Sequence, residues 1–386
     1  MSSLLYGIDV LQEQAFAPLR GRVIGLFTNL NAVDSRFVPT YRILTETSGM
    51  KIAALFAPEH GFAAATPDGI HIHHDTDPRT GIPIFSLYGS TFRPTPSQLS
   101  GLEALVCDIQ DVGVRYYTYL WTLTYILEAA GAAGVEIILL DRPNPLGGAT
   151  IWGGLLEPGL SSIVGRFPIP IQHGLTLGEL AVYINTRYIA TPPKLTVIPC
   201  KGWTRETTWH DTGRVWIPPS PNMPTFTTVQ HYPGACLLEG TSLSEGRGTA
   251  HPFEVVGAGF IDPYPLANRL NDLALGGVRF RPHRFQPTGS KWAGRSCGGV
   301  HVHITDTSKF YPFETWLTVI REIRLMYPDS FAWLPSMHGT FHFDRLIGSS
   351  AVRGQLDQGV SVKDITAEWA DIARIFQAER ADFLLY

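Results

Sequence analysis

Through its first half the chain alternates short apolar runs with segments of helical period, and this rhythm restricts the fold more than any other feature. Residues 22–29 (RVIGLFTN) are apolar and β-branched, and residues 51–56, 103–109, 135–140 and 195–199 repeat the pattern. Between them, residues 36–48 and 176–188 read as helices, while Tyr116, Leu120, Leu123, Leu127 and Ala130 recur at the spacing of one helix face. Strands separated by helices of this length predict an α/β fold, a parallel sheet with crossover helices.

In such a sheet, ligands bind beyond the carboxyl ends of the strands. Three predicted strands run into polar clusters there: Pro58-Glu59-His60-Gly61, Gln110-Asp111-Val112-Gly113 and Asp141-Arg142-Pro143-Asn144-Pro145. A Glu leaving an apolar strand can sit partly desolvated, which raises its pKa and suits a general acid. That makes Glu59 the leading candidate; the plainer alternative is that Glu59 and His60 cap a helix or brace a loop. Asp111 can act as a base or accept from a sugar hydroxyl, and Arg115 can bind an anion through its planar fork. Asp108, Asp111 and Arg115 can equally be a structural set that holds the turn. In DRPNP the prolines fix the backbone, so Asp141 and Asn144 are held in place.

From about residue 217 the texture changes. PPSPNMPTF reads as an extended loop. EGTSLSEGRGTAHPF is too long and polar for an ordinary connection, and such loops are functional or disordered. Within it, Glu245 and Arg247 lie on a glycine-flanked backbone that permits close approach to a ligand, or are solvated charges on a mobile loop. Ser220, Asn222 and Glu239 are polar neighbours in the same half. Later residues mix strands near 278–285 and 299–305 with helices near 265–275, 313–326 and 363–381, without βαβ rhythm.

At 386 residues the chain exceeds what one hydrophobic core serves, so two domains are expected, 1–215 and 216–386. A net charge of −4 without a basic stripe gives nucleic-acid binding no support. No cationic start precedes an apolar run and no apolar stretch is long enough to span a bilayer, so the reading is cytoplasmic with no membrane partner. His71, His73 and His74 form a metal-like tract, but Asp75 and Asp77 do not complete a zinc spacing. No GxGxxG, GxxxxGK or GxSxG is present. Neither a cofactor nor a metal is therefore expected.

Taken in order, FAPEHGF, IPIFSLYG, DIQDVGVRYYTYLWTL, LDRPNPLGG, HGLTLGELA, PSPNMPT, YPGACLLEGTSLSEGRGTAHPFE and GAGF resemble the exo-β-N-acetylmuramidase family, the NamZ type of peptidoglycan hydrolase long catalogued as a domain of unknown function. The resemblance covers most of the chain. It implies a Rossmann-like N-terminal domain that binds no dinucleotide and a smaller α+β C-terminal domain whose SEGRGT loop closes the cleft. It also implies release of N-acetylmuramic acid from the non-reducing end of peptidoglycan fragments. The family's catalytic Glu maps to Glu59. Asp111, Arg115, Tyr117, Asn144, Asn222, Glu245 and Arg247 map to the remaining polar positions, and His60, beside Glu59, is a further candidate substrate contact. One departure stands out: where the family continues PEHGFRG, this chain reads PEHGFAAATPDG. Relatives are also often exported, whereas an intracellular recycling role fits a chain without a visible leader.

Glycoside hydrolysis needs an acid for the leaving oxygen and, on the other face, a second carboxylate or the substrate's own acetamido group. Glu59 is the expected acid, with Asp111 or Glu245 as the second group. Arg115 and Arg247 are the expected readers of the lactyl carboxylate, or else braces for Asp111 and Glu245. Two rivals remain at this point: a metal-dependent hydrolase using His60, Asp108 and the His71–His74 tract, and a non-catalytic glycan-binding module.

Overall fold

The structure, a computed structural model, describes residues 4–336 and 339–386. It divides into two compact units. Met1–Thr150, His173–Pro221 and Gln377–Tyr386 form the first, and Ile151–Gln172 with Asn222–Phe376 form the second.

The first unit is built on one sheet of β1 (Val23–Phe27), β2 (Lys51–Ala57), β3 (Asp75–Thr76), β4 (Pro83–Ser86), β5 (Ala104–Cys107), β6 (Glu136–Leu140) and β7 (Leu195–Ile198), in the order β3-β4-β2-β1-β5-β6-β7. Every pairing is parallel except the short β3 against β4. Without β3 the order is that of a doubly wound sheet, whose direction of winding reverses between β1 and β5. The apolar runs are continuous because helices cover both faces. Ile24, Leu26 and Phe27 are buried in β1, as are all residues of β5. The helix Thr118–Ala133 buries Leu120, Leu123, Ile126, Leu127 and Ala130 and stops at Gly134, whose φ of 68° closes it in the left-handed conformation.

Some boundaries differ from the sequence reading. The helix expected from residue 36 begins at Thr40, immediately after Pro39, which serves as its N-cap. The helix Gly7–Glu13 and the strand β4 were not anticipated. The long closing helix is two helices, Val362–Ile365 and Trp369–Glu379.

The second unit holds a three-stranded antiparallel sheet of β8 (Val255–Ala258), β9 (Val278–Phe285) and β10 (Cys297–Ile304), in the order β8-β10-β9. Its helices Phe226–Ala235 and Pro312–Met326 pack on each other, with Phe313, Trp316, Leu317 and Ile320 fully buried. Among the described residues, no helix is long and apolar enough to cross a membrane.

Candidate active site

The carboxyl ends of β2, β1, β5 and β6 are consecutive along the sheet, and each delivers polar side chains to the same edge. After β2 the backbone turns sharply. His60 has a φ of 70°, a conformation that a residue with a β-carbon adopts only under constraint and that concentrates at functional sites. Glu59 is buried by this turn. Its Oε2 accepts from the Thr118 hydroxyl at 2.7 Å and its Oε1 from the Gly69 amide at 3.2 Å. Thr118 is the first residue of its helix, where the positive end of the dipole favours an anion. His60 is buried too, and its Nδ1 lies 2.8 Å from the Thr66 carbonyl, so it braces the loop that follows.

After β5 the chain makes the QDVG turn. Asp111 Oδ1 accepts from the Gly113 amide at 2.6 Å. The turn needs Gly113: its φ is 79°, and a β-carbon there would stand 2.2 Å from Asn144 Oδ1. Asp111 Oδ2 is buried without a protein hydrogen-bond partner among the described residues. Burial pushes the Asp111 carboxyl up to about 7, against the opposing amides of Gly113 and Val112. Asp111 is thus poised to exchange a proton near neutral pH.

Two tyrosines lie within electrostatic reach of these carboxyls. Tyr117 and Tyr119 lie with centroids 4.7 Å apart, and both phenols are pushed up, chiefly by burial. Beyond burial, the charges of Glu59 and Asp111 both help to raise the Tyr119 phenol. Tyr119 donates to the Pro219 carbonyl at 2.9 Å. Asn29, at the end of β1, donates to the same carbonyl and to the Tyr119 oxygen. Sequence reasoning did not single out Asn29, Thr118 or Tyr119. The signal for Asn29 was available, since it follows a strand end at the switch point just as Glu59 and Asp111 follow theirs.

Other expected residues serve as struts. Asp108 is held by a paired contact from Arg142, at 2.5 and 3.0 Å, and by Thr40. Asp141 accepts from Thr176 at 2.6 Å, Gly178 at 2.8 Å and Tyr386 at 2.8 Å; burial still pushes it up to about 6. Asn144 spends its amide on the Leu175 carbonyl and its oxygen on the Leu146 amide. Arg115 is wholly enclosed, and burial brings it down to about 10. Its charge, with that of Arg380, adds to the burial that pushes His173 down to about 3.

The remaining candidates belong to the second unit. Asn222 is half-buried at its start. The polar loop is anchored in its first half, where Thr241, Leu243, Ser244 and Glu245 are buried and Ser244 bridges Gly257, while Gly248, Ala250 and His251 are exposed. Arg247 pairs with Glu239 at 2.6 Å and with Glu245 Oε1 at 3.2 Å, and its guanidinium lies 5.0 Å from the Phe253 ring. Ser290 also donates to Glu245 Oε1 at 3.1 Å. Lys291 Nζ stands 3.0 Å from Glu245 Oε2, an ion pair by distance, while its hydrogen bonds go to the carbonyls of Leu238 and Thr241. Burial opposes ionisation of Glu239, yet Arg247 and His342 hold it well below the usual carboxylate range.

The residues of the metallohydrolase alternative are not assembled. Asp108 is consumed by Arg142, His60 by Thr66, and His74 Nδ1 accepts from the Ser86 amide. Among the described residues, the His, Cys, Asp and Glu side chains close enough to hold an ion lie elsewhere, in the second unit.

Comparison with known proteins bears directly on this arrangement. A family model described as the N-terminal part of exo-β-N-acetylmuramidase NamZ matches residues 24–227, and its C-terminal counterpart matches residues 230–386. The chain belongs to the NamZ exo-β-N-acetylmuramidase family. A Bacillus subtilis (strain 168) relative, the peptidoglycan β-N-acetylmuramidase NamZ, is 42% identical over 380 residues, covering 98% of this chain and 91% of that one. Two solved DUF1343 family proteins from Bacteroides fragilis share the fold. One has a TM-score of 0.89 at 36% identity over the whole of both chains, and the other 0.78 at 31% identity over 100% of this chain and 99% of that one.

Proposed function

We propose that this chain is a glycoside hydrolase that releases N-acetylmuramic acid from the non-reducing end of peptidoglycan fragments, with Glu59 and Asp111 as its working carboxyls. Family membership and the name of the B. subtilis relative support the reaction class. The observation that carries the site is Asp111, a carboxyl with a protein-unpartnered buried oxygen and a pKa near 7, whose charge acts with that of Glu59 on Tyr119.

Glycoside hydrolysis divides two roles between a pair of carboxyls. Asp111 carries a proton up to about neutral pH and donates it to the leaving glycosidic oxygen. Glu59, held by two donors at a helix start, is the second carboxyl. It steadies the oxocarbenium-like transition state, activates water, or orients the acetamido group. This division reverses the one expected from the sequence, where Glu59 was the acid. Arg115 and Arg247 act in this reading as positioning residues, the first enclosed behind the QDVG turn and the second bound between two glutamates.

Turnover of a chromogenic N-acetylmuramic acid glycoside tests the proposal. The wild-type chain should turn it over, and kcat should fall on a basic limb near pH 7. Asp111→Asn should abolish that limb and lower kcat by roughly 10²–10³-fold. Retention of the limb in that variant would return the acid role to Glu59. No turnover by the wild-type chain would leave the glycan-binding reading.

A further inference from the structure

A second chemical feature lies wholly in the second unit and owes nothing to the proposed hydrolysis. We propose that His251, Glu254 and His301 form a site for a borderline divalent cation of the zinc class.

The fold brings these residues together by two devices. His251-Pro252-Phe253-Glu254 is a tight turn in which Phe253, fully buried, adopts a φ of 63°. That conformation strains a bulky residue and persists only where its surroundings impose it. Phe253 is held by its amide on the Glu245 carbonyl at 2.7 Å, and the Glu254 amide bonds back to the His251 carbonyl at 3.2 Å. The turn therefore aims His251 and Glu254 the same way, with His251 Nδ1 3.8 Å from Glu254 Oε2. The second device is strand register. Pairing of β8 with β10 brings His301 alongside the end of the turn, and His301 Nε2 lies 3.7 Å from Glu254 Oε2, just before β8.

All three donor atoms fall within 4.8 Å of one another. A tetrahedral zinc ion with ligands near 2.0–2.1 Å spaces its donors about 3.3–3.4 Å apart, so small side-chain rotations complete the site. Glu254 is already anchored for that role. Its other oxygen accepts from Thr228 at 2.7 Å and Thr225 at 3.3 Å, the outer hydrogen bonding that orients a ligating carboxylate. Two imidazoles and one carboxylate favour Zn²⁺, Co²⁺, Ni²⁺ or Cu²⁺ over Mg²⁺ or Ca²⁺. His251 is half exposed, which gives the ion a path in and an open outer position.

Arg281 sets a condition on occupancy. It lies directly across from His301 in β9, with its Nη2 3.1 Å from His301 Nδ1, and its Nε donates to His303 at 3.3 Å. A guanidinium donating to Nδ1 keeps the His301 proton on Nε2, the atom a metal would take. Cation binding therefore requires the exposed Arg281 to swing away, the proton to move to Nδ1, and Nε2 to coordinate. Metal and the Arg281 contact exclude each other.

Calorimetry on the full-length chain, stripped with EDTA and titrated with ZnCl₂ alone, tests this without any substrate. One equivalent should bind, and CoCl₂ should give the visible absorption of a low-symmetry site. His251→Ala, at an exposed position that should not disturb folding, should weaken binding roughly 100-fold or more while leaving metal-free thermal unfolding unchanged. Arg281→Gln should tighten binding by roughly 10-fold. His73→Ala, in the unrelated histidine tract, should change neither. Absence of a stoichiometric event, or equal binding by wild type and His251→Ala, overturns the proposal. Because the assay reads metal and not turnover, its failure leaves the glycosidase reading where it stands.

Discussion

Asp111 in the first unit and the Glu239–Glu245 pair in the second meet opposite surroundings. In the first, burial outweighs the Gly113 and Val112 amides at Asp111, no salt bridge reaches it among the described residues, and its pKa climbs to about 7. In the second, Glu245 is buried and Glu239 partly so, but both meet cations, Arg247 and Lys291, and Glu239 is driven far below its ordinary range. A carboxyl without a counter-ion can exchange its proton at neutral pH, whereas one locked to a guanidinium is a fixed charge. These acidic residues thus divide into one suited to chemistry and others suited to holding a loop in place.

The largest effect that contrast predicts is catalytic. Glu59→Gln keeps the side chain's shape and its contact with Thr118, but cannot carry the charge. Its kcat should drop roughly 10²–10⁴-fold with the fold intact. Glu245→Gln should keep turnover within about 10-fold and lose stability instead, because Arg247 and Lys291 are left with less negative charge to offset them. Comparable loss of turnover from Glu245→Gln, at unchanged stability, would erase the distinction between the two settings.

Much of this architecture was legible in the sequence because two periodicities carry it. Parallel strands buried on both faces write continuous apolar runs, as residues 22–29 and 103–109 do, and the polar residues that follow each run mark the ligand edge. The strands at one side of the sheet were harder: β4 carries Pro83 and a half-exposed pattern, and the edge strand β3 is two residues long. Candidate residues were legible as positions and not as roles. Nothing in QDVG distinguishes Asp111 from Asp108, since the difference is that Arg142, distant in sequence, reaches one and not the other. SEGRGT reads as a mobile loop for a similar reason. Lys291 and Ser290, which close around Glu245, lie more than forty residues downstream of it. The proposed cation site uses histidines that no sequence pattern groups together. The tract at 71–74 is conspicuous as text, while His251 and His301 meet only through strand pairing.

The next effect in size concerns Arg247. Removing its charge by Arg247→Met leaves Glu239 and the buried Glu245 with one fewer cation. Breaking one partner out of a buried ion network costs about 3–5 kcal/mol. Urea unfolding should show a destabilisation of that order, with substrate affinity and turnover changed only as far as folding is lost. A stable variant with a selective loss toward muramic acid, relative to a glucosamine analogue, would instead make Arg247 a reader of the lactyl carboxylate.

The smallest predicted effect is a dependence of stability on pH, and it tests Asp111 without any substrate. The unfolded carboxyl titrates near 3.9, and the folded one near 7. Between those values the native state holds a proton that the unfolded state has lost. The contribution of Asp111 to stability is therefore fully present below about pH 4 and declines as pH rises through 7, where the folded chain must bear an uncompensated buried charge. A separation of three units sets an upper bound of about 4 kcal/mol, and relaxation around the charge reduces what is measured to about 1–2 kcal/mol. Asp111→Asn cannot titrate. It keeps the oxygen that accepts from Gly113, but places an amide where the unpartnered oxygen stood, which itself costs about 1–3 kcal/mol. The absolute stability of the variant is thus uninformative, and the slope is the measurement. From pH 4.5 to 8, wild type should lose about 1–2 kcal/mol relative to Asp111→Asn. Parallel curves for the two proteins would mean that Asp111 is ionised throughout, and that its charge is stabilised as fully as those of the pair in the second unit.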